Sequence, residues 1–288
     1  MSHAPDTVTP RFRILDCAVL LVIVGAVSWF LLHAFTSFNY DWDWAKAWEW
    51  ISDPNESFGG LSFYASTILN TLKITLCVVL LASILGFIGG LSHASNSTSL
   101  RVLSTAYVAT LRNLPPLVSI FILHFFLTGQ LIPLLPLNTF TEWLDEGSLR
   151  KLIFASPDAF EYMLSGIIAL SIIEGAFITE IVRGGLKGIP PGQEQAGRSL
   201  GMNSIQTLRF VLIPQLLKII RLPMGNSVVS ILKNTAILSL ISVHDLTFAA
   251  QDIANSNSRI FEIWIITGVI YFLLGYSADR ILKAFLAR

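Results

Sequence analysis

Runs of about 20 apolar residues dominate this chain, and they decide what it can fold into. In hydrocarbon an unpaired backbone N–H or C=O costs several kcal/mol, so a spanning segment closes its hydrogen bonds internally as an α-helix. Six such runs can be placed, at about 14–35, 63–91, 102–128, 162–183, 224–243 and 260–282. Composition agrees. Hydrophobic residues make up 53% of the chain and charged residues 13%, whereas a soluble domain carries about 25% charged residues. The expectation is an all-α integral membrane protein with about six transmembrane helices.

Basic residues orient the bundle. With the N-terminus inside, the inner segments hold Arg11, Arg13, Arg101, Arg183, Lys187, Arg198, Arg209, Lys218, Arg221, Arg280, Lys283 and Arg288. The outer segments hold Lys46, Arg150, Lys151 and Arg259. The positive-inside rule therefore predicts N-in and C-in. The first run, Ile14 to Phe35, is too long for a cleaved signal core, has no small-x-small site after it, and is read as a retained span. Formal net charge is zero, which gives no electrostatic reason to expect a nucleic-acid partner. Cys17 and Cys77 both lie in apolar runs and build no disulfide framework.

Polar residues inside the runs mark functional positions, because each is costly in lipid. Lys73 in the second span either snorkels to the outer interface or faces a polar cavity. Gly86 and Gly90 follow it at the spacing of close helix packing. Arg112 precedes Pro115-Pro116, where a helix must kink, and serves either a structural ion pair or a water-filled cavity. Glu180 and Arg183 are three apart and can pair at the inner interface. Glu174 lies deeper and needs a partner, a proton or water. Lys233-Asn234-Thr235 stand in the middle of the fifth span, as a polar pathway or a structural network.

The outer loops differ. The first, Asn39 to Gly60, carries Trp42, Trp44, Trp48 and Trp50 among acids and a turn at Asp53-Pro54-Asn55. It reads as an interfacial helix or as a docking surface for an external protein. The second, Gly129 to Glu161, is the longest and is expected to form a re-entrant or interfacial helix with a capping loop.

One inner stretch, Gly184 to Pro214, is polar and basic between apolar runs. Pro190-Pro191-Gly192 breaks the helix leaving the fourth span. Gln193 to Leu200 is helix-capable, Gly201 ends that helix, and Asn203-Ser204 can cap another. Ile205, Leu208, Val211 and Leu212 recur at helical spacing. The chain lacks G-x-x-x-x-G-K-[ST], H-E-x-x-H, G-x-S-x-G and any Cys/His metal spacing. No catalytic residue, metal site or cofactor is therefore expected in this chain, and it is not read as an enzyme.

The same stretch resembles the EAA loop in the permease subunits of ATP-binding-cassette importers, E-A-A-x-x-x-G, nine residues, then I-x-L-P. Here that register gives Gln195-Ala196-Gly197, Gly201 and Val211-Leu212-Ile213-Pro214. Glu180-Ile-Val-Arg183-Gly-Gly, Gly192-Gln193 and Ile213-Pro214-Gln215 resemble the polar amino acid permeases, as do Arg112-Asn-Leu-Pro115 and Lys233-Asn234-Thr235-Ala236. Gln195, Gly197, Pro116 and Ser119 depart from the family's usual residues. The resemblance covers about residues 63–285.

The resemblance implies a type I importer permease domain over 61–288, with a coupling loop at 184–214, after an extra N-terminal span and Trp-rich loop over 1–60. It implies a multi-pass protein of the bacterial cytoplasmic (inner) membrane, paired with an identical or related permease. Two ATP-binding cytoplasmic subunits would use ATP and Mg, and a periplasmic or surface solute-binding protein would deliver a polar amino acid. Gly192, Glu194, Gln195, Ala196, Gly197, Arg198, Gly201 and Pro214 would couple to the ATPase. Arg112, Glu174, Lys233, Asn234 and Thr235 would line the path. Lys73, Arg112 and Lys233 outnumber Glu174, which favours an acidic substrate such as glutamate or aspartate, and the RNxP and KNTA forms resemble those of the glutamate/aspartate or general, broad-range L-amino acid permeases. The alternative is a secondary transporter or channel independent of ATP; its usual inverted repeats are not evident.

Overall fold

The structure is a computed structural model describing residues 14–37, 40–52, 62–95, 97–134, 157–257 and 259–286. The chain divides into two compact units, Met1–Asp43 and Trp44–Arg288. The first contains α1 (Ile14–Ser37), a helix of 24 residues. At 1.5 Å per residue it is about 36 Å long, enough to cross a bilayer core.

The second unit begins with the Trp-rich helix α2 (Trp44–Ser52) and then α3 (Phe63–Ala94). Next come α4 (Thr98–Asn113) and α5 (Pro116–Phe126), which runs on through a π turn to Leu131 and a 3₁₀ turn to Leu134. They are followed by α6 (Pro157–Lys187), α7 (Gly192–Ser199) and α8 (Ser204–Thr207). A π turn, Leu208–Leu212, leads into α9 (Ile213–Asn234), a 3₁₀ segment (Thr235–Ile241), α10 (Leu246–Asn257) and α11 (Ile260–Leu286). The turn expected at Asp53-Pro54-Asn55 and most of the second outer loop lie outside the described residues.

Among the described residues four helical stretches are long and apolar enough to span a membrane: Phe63–Ala94, Ala159–Lys187, Ser204–Ile241 and Ile260–Phe285. Two of the expected spans need correction. The run at 102–128 is not one helix, because α4 and α5 meet at 115°. Pro115 has no N–H and disfavours helix in the residue before it, so α4 stops at Asn113 and Pro116 restarts the chain at the first position of α5. The fifth span is also longer than 224–243. It begins at Ser204 and keeps Pro223 within the helix, so the part of the 184–214 stretch after Asn203 belongs to a membrane-length helix.

Helix α6 is the centre of the bundle. Of its apolar window 72% is buried, against 17% for α11. It packs most extensively on α3, where the expected glycine contact is realised. A Cβ on Gly86 would lie 2.3 Å from Ile178 Cγ2, and one on Gly90 would lie 2.4 Å from Val182 Cγ1. Only glycine lets these two backbones approach so closely, and dispersion across that seam replaces the hydrophobic drive absent in lipid. The main core joins α3, α5, α6, α9 and the 3₁₀ segment through Ile74, Ile120, Ile173, Leu216 and Leu238. A second cluster gathers Ala47 and Ile51 of α2 with Tyr64, Leu246, Ala250 and Ile263.

Candidate coupling surface and translocation path

Two groups of residues carry the predicted chemistry. The first is the turn built by α7 and α8. Helix α7 ends in a Schellman motif: the Gly201 N–H donates to Arg198 O at 2.9 Å and the Met202 N–H to Gly197 O at 3.1 Å. Gly201 adopts φ +77°, which glycine takes without the Cβ penalty. Asn203 then caps α8. Its Oδ1 accepts from the Gln206 N–H at 2.8 Å, and Gln206 Oε1 accepts from the Asn203 N–H at 2.9 Å. The helix, glycine break and second helix read from the sequence are all present.

Packing explains one departure from the EAA pattern. Gly197 is buried, and a Cβ there would lie 2.8 Å from Thr207 Cγ2. With Thr207 across the turn, an alanine at 197 would push α7 from α8. Gln215 on α9 donates to Gln193 Oε1 at 3.1 Å and ties α7 back to the long helix. Glu194 and Arg198 pair along the exposed face at 2.7 Å. Gly192, Gln195, Ala196 and Pro214 are exposed, as are Leu200 (77%) and Ile205 (76%) beside the Gly201 break. Under this element lies a cleft of about 860 Å³ between the ends of α3, α4 and α6 and the α7–α8 turn, lined by Leu91, Leu100, Ile189, Arg198 and Leu212.

The second group lies within the bundle. Glu174 on α6 is 4% exposed, and its Oε1 accepts from Asn234 Nδ2 at 2.7 Å. The buried carboxylate thus finds its partner on α9, where the helix tightens from α to 3₁₀. Thr235 is fully buried and donates to Leu232 O at 2.8 Å, as expected of a threonine that back-bonds within a helix. Lys233 points the other way and is exposed on the same helix as exposed Asn226 and Ser230. Their spacing of four and three residues makes one polar stripe along α9.

Arg112 stands apart from Glu174 and Asn234 in the bonding pattern. Its Nη1 lies 3.8 Å from Glu180 Oε2, and its guanidinium sits 5.5 Å from the Phe177 ring centroid. Glu180 is shared with Arg183, whose Nε reaches both carboxylate oxygens at 2.9 and 3.0 Å. The expected Glu180–Arg183 pair therefore exists within a three-member network that includes Arg112. Sequence reasoning missed three ties. Tyr107 donates to Ile172 O at 2.6 Å. Asn70 donates to His244 O at 3.1 Å. Tyr271 donates to the buried Asp245 at 3.1 Å. Each joins residues far apart in the chain and leaves no local spacing to read. A group of three or more His, Cys, Asp or Glu residues placed to hold a metal is absent among the described residues.

Residues 79–288 match the family described as the binding-protein-dependent transport system inner membrane component. The chain belongs to that family. It is similar to the probable glutamine ABC transporter permease protein GlnP of Bacillus subtilis (strain 168). The two are 31% identical over 220 residues, covering 75% of this chain and 89% of that protein. It is also similar to the histidine/lysine/arginine/ornithine transport system permease protein HisQ of Escherichia coli (strain K12), 30% identical over 214 residues, 74% of this chain and 87% of that one. A solved structure, described as the crystal structure of an amino acid ABC transporter with histidines, superposes with TM-score 0.67 at 27% identity. It covers 86% of this chain and 100% of that one. The fold is therefore that of a type I ABC importer permease, in a multi-pass membrane protein that serves as a transport component. A binding-protein-dependent permease is not an independent secondary transporter or channel, so the alternative reading is set aside.

Proposed function

We propose that this permease forms the translocation path of an ATP-driven importer for a polar amino acid in the bacterial cytoplasmic membrane. A second permease subunit, two cytoplasmic ATP-binding subunits and a solute-binding protein complete the machine. ATP and Mg are used by the partner ATPase. The observation that carries the coupling role is the α7–α8 turn. It is a short helix locked by a Schellman motif and a capping box, with exposed Leu200 and Ile205 at its tip. Exposed large apolar side chains on a rigid polar turn fit a docking contact. Gly192, Glu194, Gln195, Ala196, Gly197, Arg198, Gly201 and Pro214 shape or flank that contact.

The path is assigned to Glu174, Asn234, Thr235, Lys233 and Arg112. Buried Glu174 and half-buried Asn234 form a polar pair where α9 changes from α to 3₁₀, and a carboxylate there suits the ammonium group common to all amino acids. Lys233 on the exposed stripe suits a carboxylate, which every amino acid also carries; the acidic sign rests on the excess of intramembrane cations, Lys73, Arg112 and Lys233 against Glu174. Arg112 contributes less to that sign, because it lies against Glu180, a carboxylate that it shares with Arg183.

The test is reconstitution with the ATPase subunit. Gly201→Val forces a β-branched residue to φ +77° at a cost of roughly 1–2 kcal/mol, and Gly197→Val collides with Thr207. Both variants are expected to lose nucleotide-driven uptake at least tenfold while still inserting in the membrane. Wild-type uptake in both would reject the coupling role. Competition of uptake by unlabelled acidic, neutral and basic amino acids reads the substrate sign, and inhibition by arginine alone would reject the acidic assignment.

A further inference from the structure

Helix α2 lies ahead of the region shared with the family, and nothing in the transport cycle described above uses it. Its seam is Ala47 and Ile51, 0% and 8% exposed, one turn apart. They enter the cluster formed with Tyr64 in the first turn of α3, Leu246 and Ala250 of α10, and Ile263 in the first turn of α11. Around this seam three tryptophans stay open: Trp44 (48%), Trp48 (63%) and Trp50 (40%). At 100° per residue Trp44 and Trp48 form one shoulder of the seam and Trp50 the other, while exposed Lys46 and Glu49 stand on the crest.

We propose that this Trp-shouldered face of α2 is a lipid-binding surface that fastens the corner formed by α3, α10 and α11 to the headgroup layer of the bilayer. Three observations point to lipid over protein. First, α2 sits where two spans begin, because its seam packs on the first turns of both α3 and α11. Second, the exposed faces of those spans continue from it. Leu69, Leu72 and Leu76 on α3, and Phe261, Trp264 and Ile265 on α11, are all open apolar residues of membrane-length helices. Third, the Trp shoulders of α2 carry no charge, because Lys46 and Glu49 both stand on the crest, so the face that would meet the hydrocarbon boundary is uncharged. Indole rings combine an apolar body with an N–H donor, which is why they collect at the boundary between headgroups and hydrocarbon. A helix lying on its seam, with rings to either side and charges upward, meets that boundary along its whole length.

The experiment uses the full-length chain in nanodiscs containing phosphatidylcholine brominated either near the carbonyls or near the chain ends. The triple variant W44F/W48F/W50F keeps apolar shoulders and removes three of the seven indoles. Subtracting its emission from that of the wild type isolates α2. The difference signal is expected to be quenched at least twofold more by shallow than by deep bromines. Absence of quenching by either lipid would overturn the proposal, since water or another protein would then cover the face. Stronger quenching by deep bromines would overturn it as well. Relief of shallow quenching by a saturating solute-binding protein would assign the face to protein docking and equally reject lipid.

Discussion

Asp245 offers the sharpest test of the electrostatics. It lies between the 3₁₀ segment and α10, is 0% exposed, and its Oδ1 accepts from the Phe248 N–H at 2.8 Å. Tyr271, itself bonded to Thr247 at 2.9 Å, donates to Oδ2. Burial pushes this carboxyl from 3.8 up to about 7, and the hydrogen bonds from Phe248, Tyr271 and Thr247 only partly offset it. Burial pushes the His244 imidazole beside it below its ordinary value, although Asp252 pulls the other way. The folded state therefore holds a proton that the unfolded chain releases. Stability from this group is complete below pH 3.8 and is lost as pH rises through about 7. Three pKa units at 1.36 kcal/mol each give about 4 kcal/mol. Asp245→Asn keeps an acceptor for the Phe248 N–H and removes the titration. In matched detergent, thermal unfolding of wild type and variant should nearly coincide at pH 4. By pH 8 the variant should lead by on the order of 10 °C, at about 2–4 °C per kcal/mol. Parallel curves across that range, or a wild type that gains on the variant as pH rises, would refute the reasoning.

Two further outcomes follow from contacts described above. Gly86→Leu must place atoms where Ile178 already stands, 2.3 Å from the first new carbon. An overpacking cost of about 3 kcal/mol or more is expected, read as loss of the monodisperse peak on size exclusion, and a normal peak would show that α3 and α6 can separate freely. Glu180→Gln leaves Arg112 and Arg183 without their shared carboxylate. A loss of about 1–3 kcal/mol is expected. A double-mutant cycle with Arg112→Ala measures Arg112's share, and zero coupling would remove Arg112 from the network.

The local features were readable because each depends on neighbours in the chain. Gly201 after a short polar helix, Asn203 before Ser204, and Pro115-Pro116 at a helix end all act through backbone torsions and orphan N–H groups within a few residues. Even there the proline pair does more than its local sequence shows. A kink was expected and the chain instead turns by 115°, because hydropathy averages over a break that torsions do not. The start of the fifth span was missed for the related reason that polar residues at its head lower the apolar signal while the helix continues. Among the site residues, the Glu180–Arg183 pair was legible from its three-residue spacing. Glu174 with Asn234 was not, since the two are sixty residues apart.

The amino-acid sequence alone determined that this chain is a helical membrane protein, because lipid leaves the backbone no other way to satisfy its polar groups. It also determined where the polar helix–glycine–helix turn falls and which residues stand inside the spans. Tertiary structure decided which of those residues meet. It paired Glu174 with Asn234, tied Arg112 to Glu180, turned Lys233 outward, and laid α2 across the starts of α3 and α11. Such contacts depend on the rotation and approach of packed helices, which here are set by glycines such as Gly86 and Gly90 against Ile178 and Val182. Periodicity along one helix says which face is polar, and only the neighbouring helix says what that face touches.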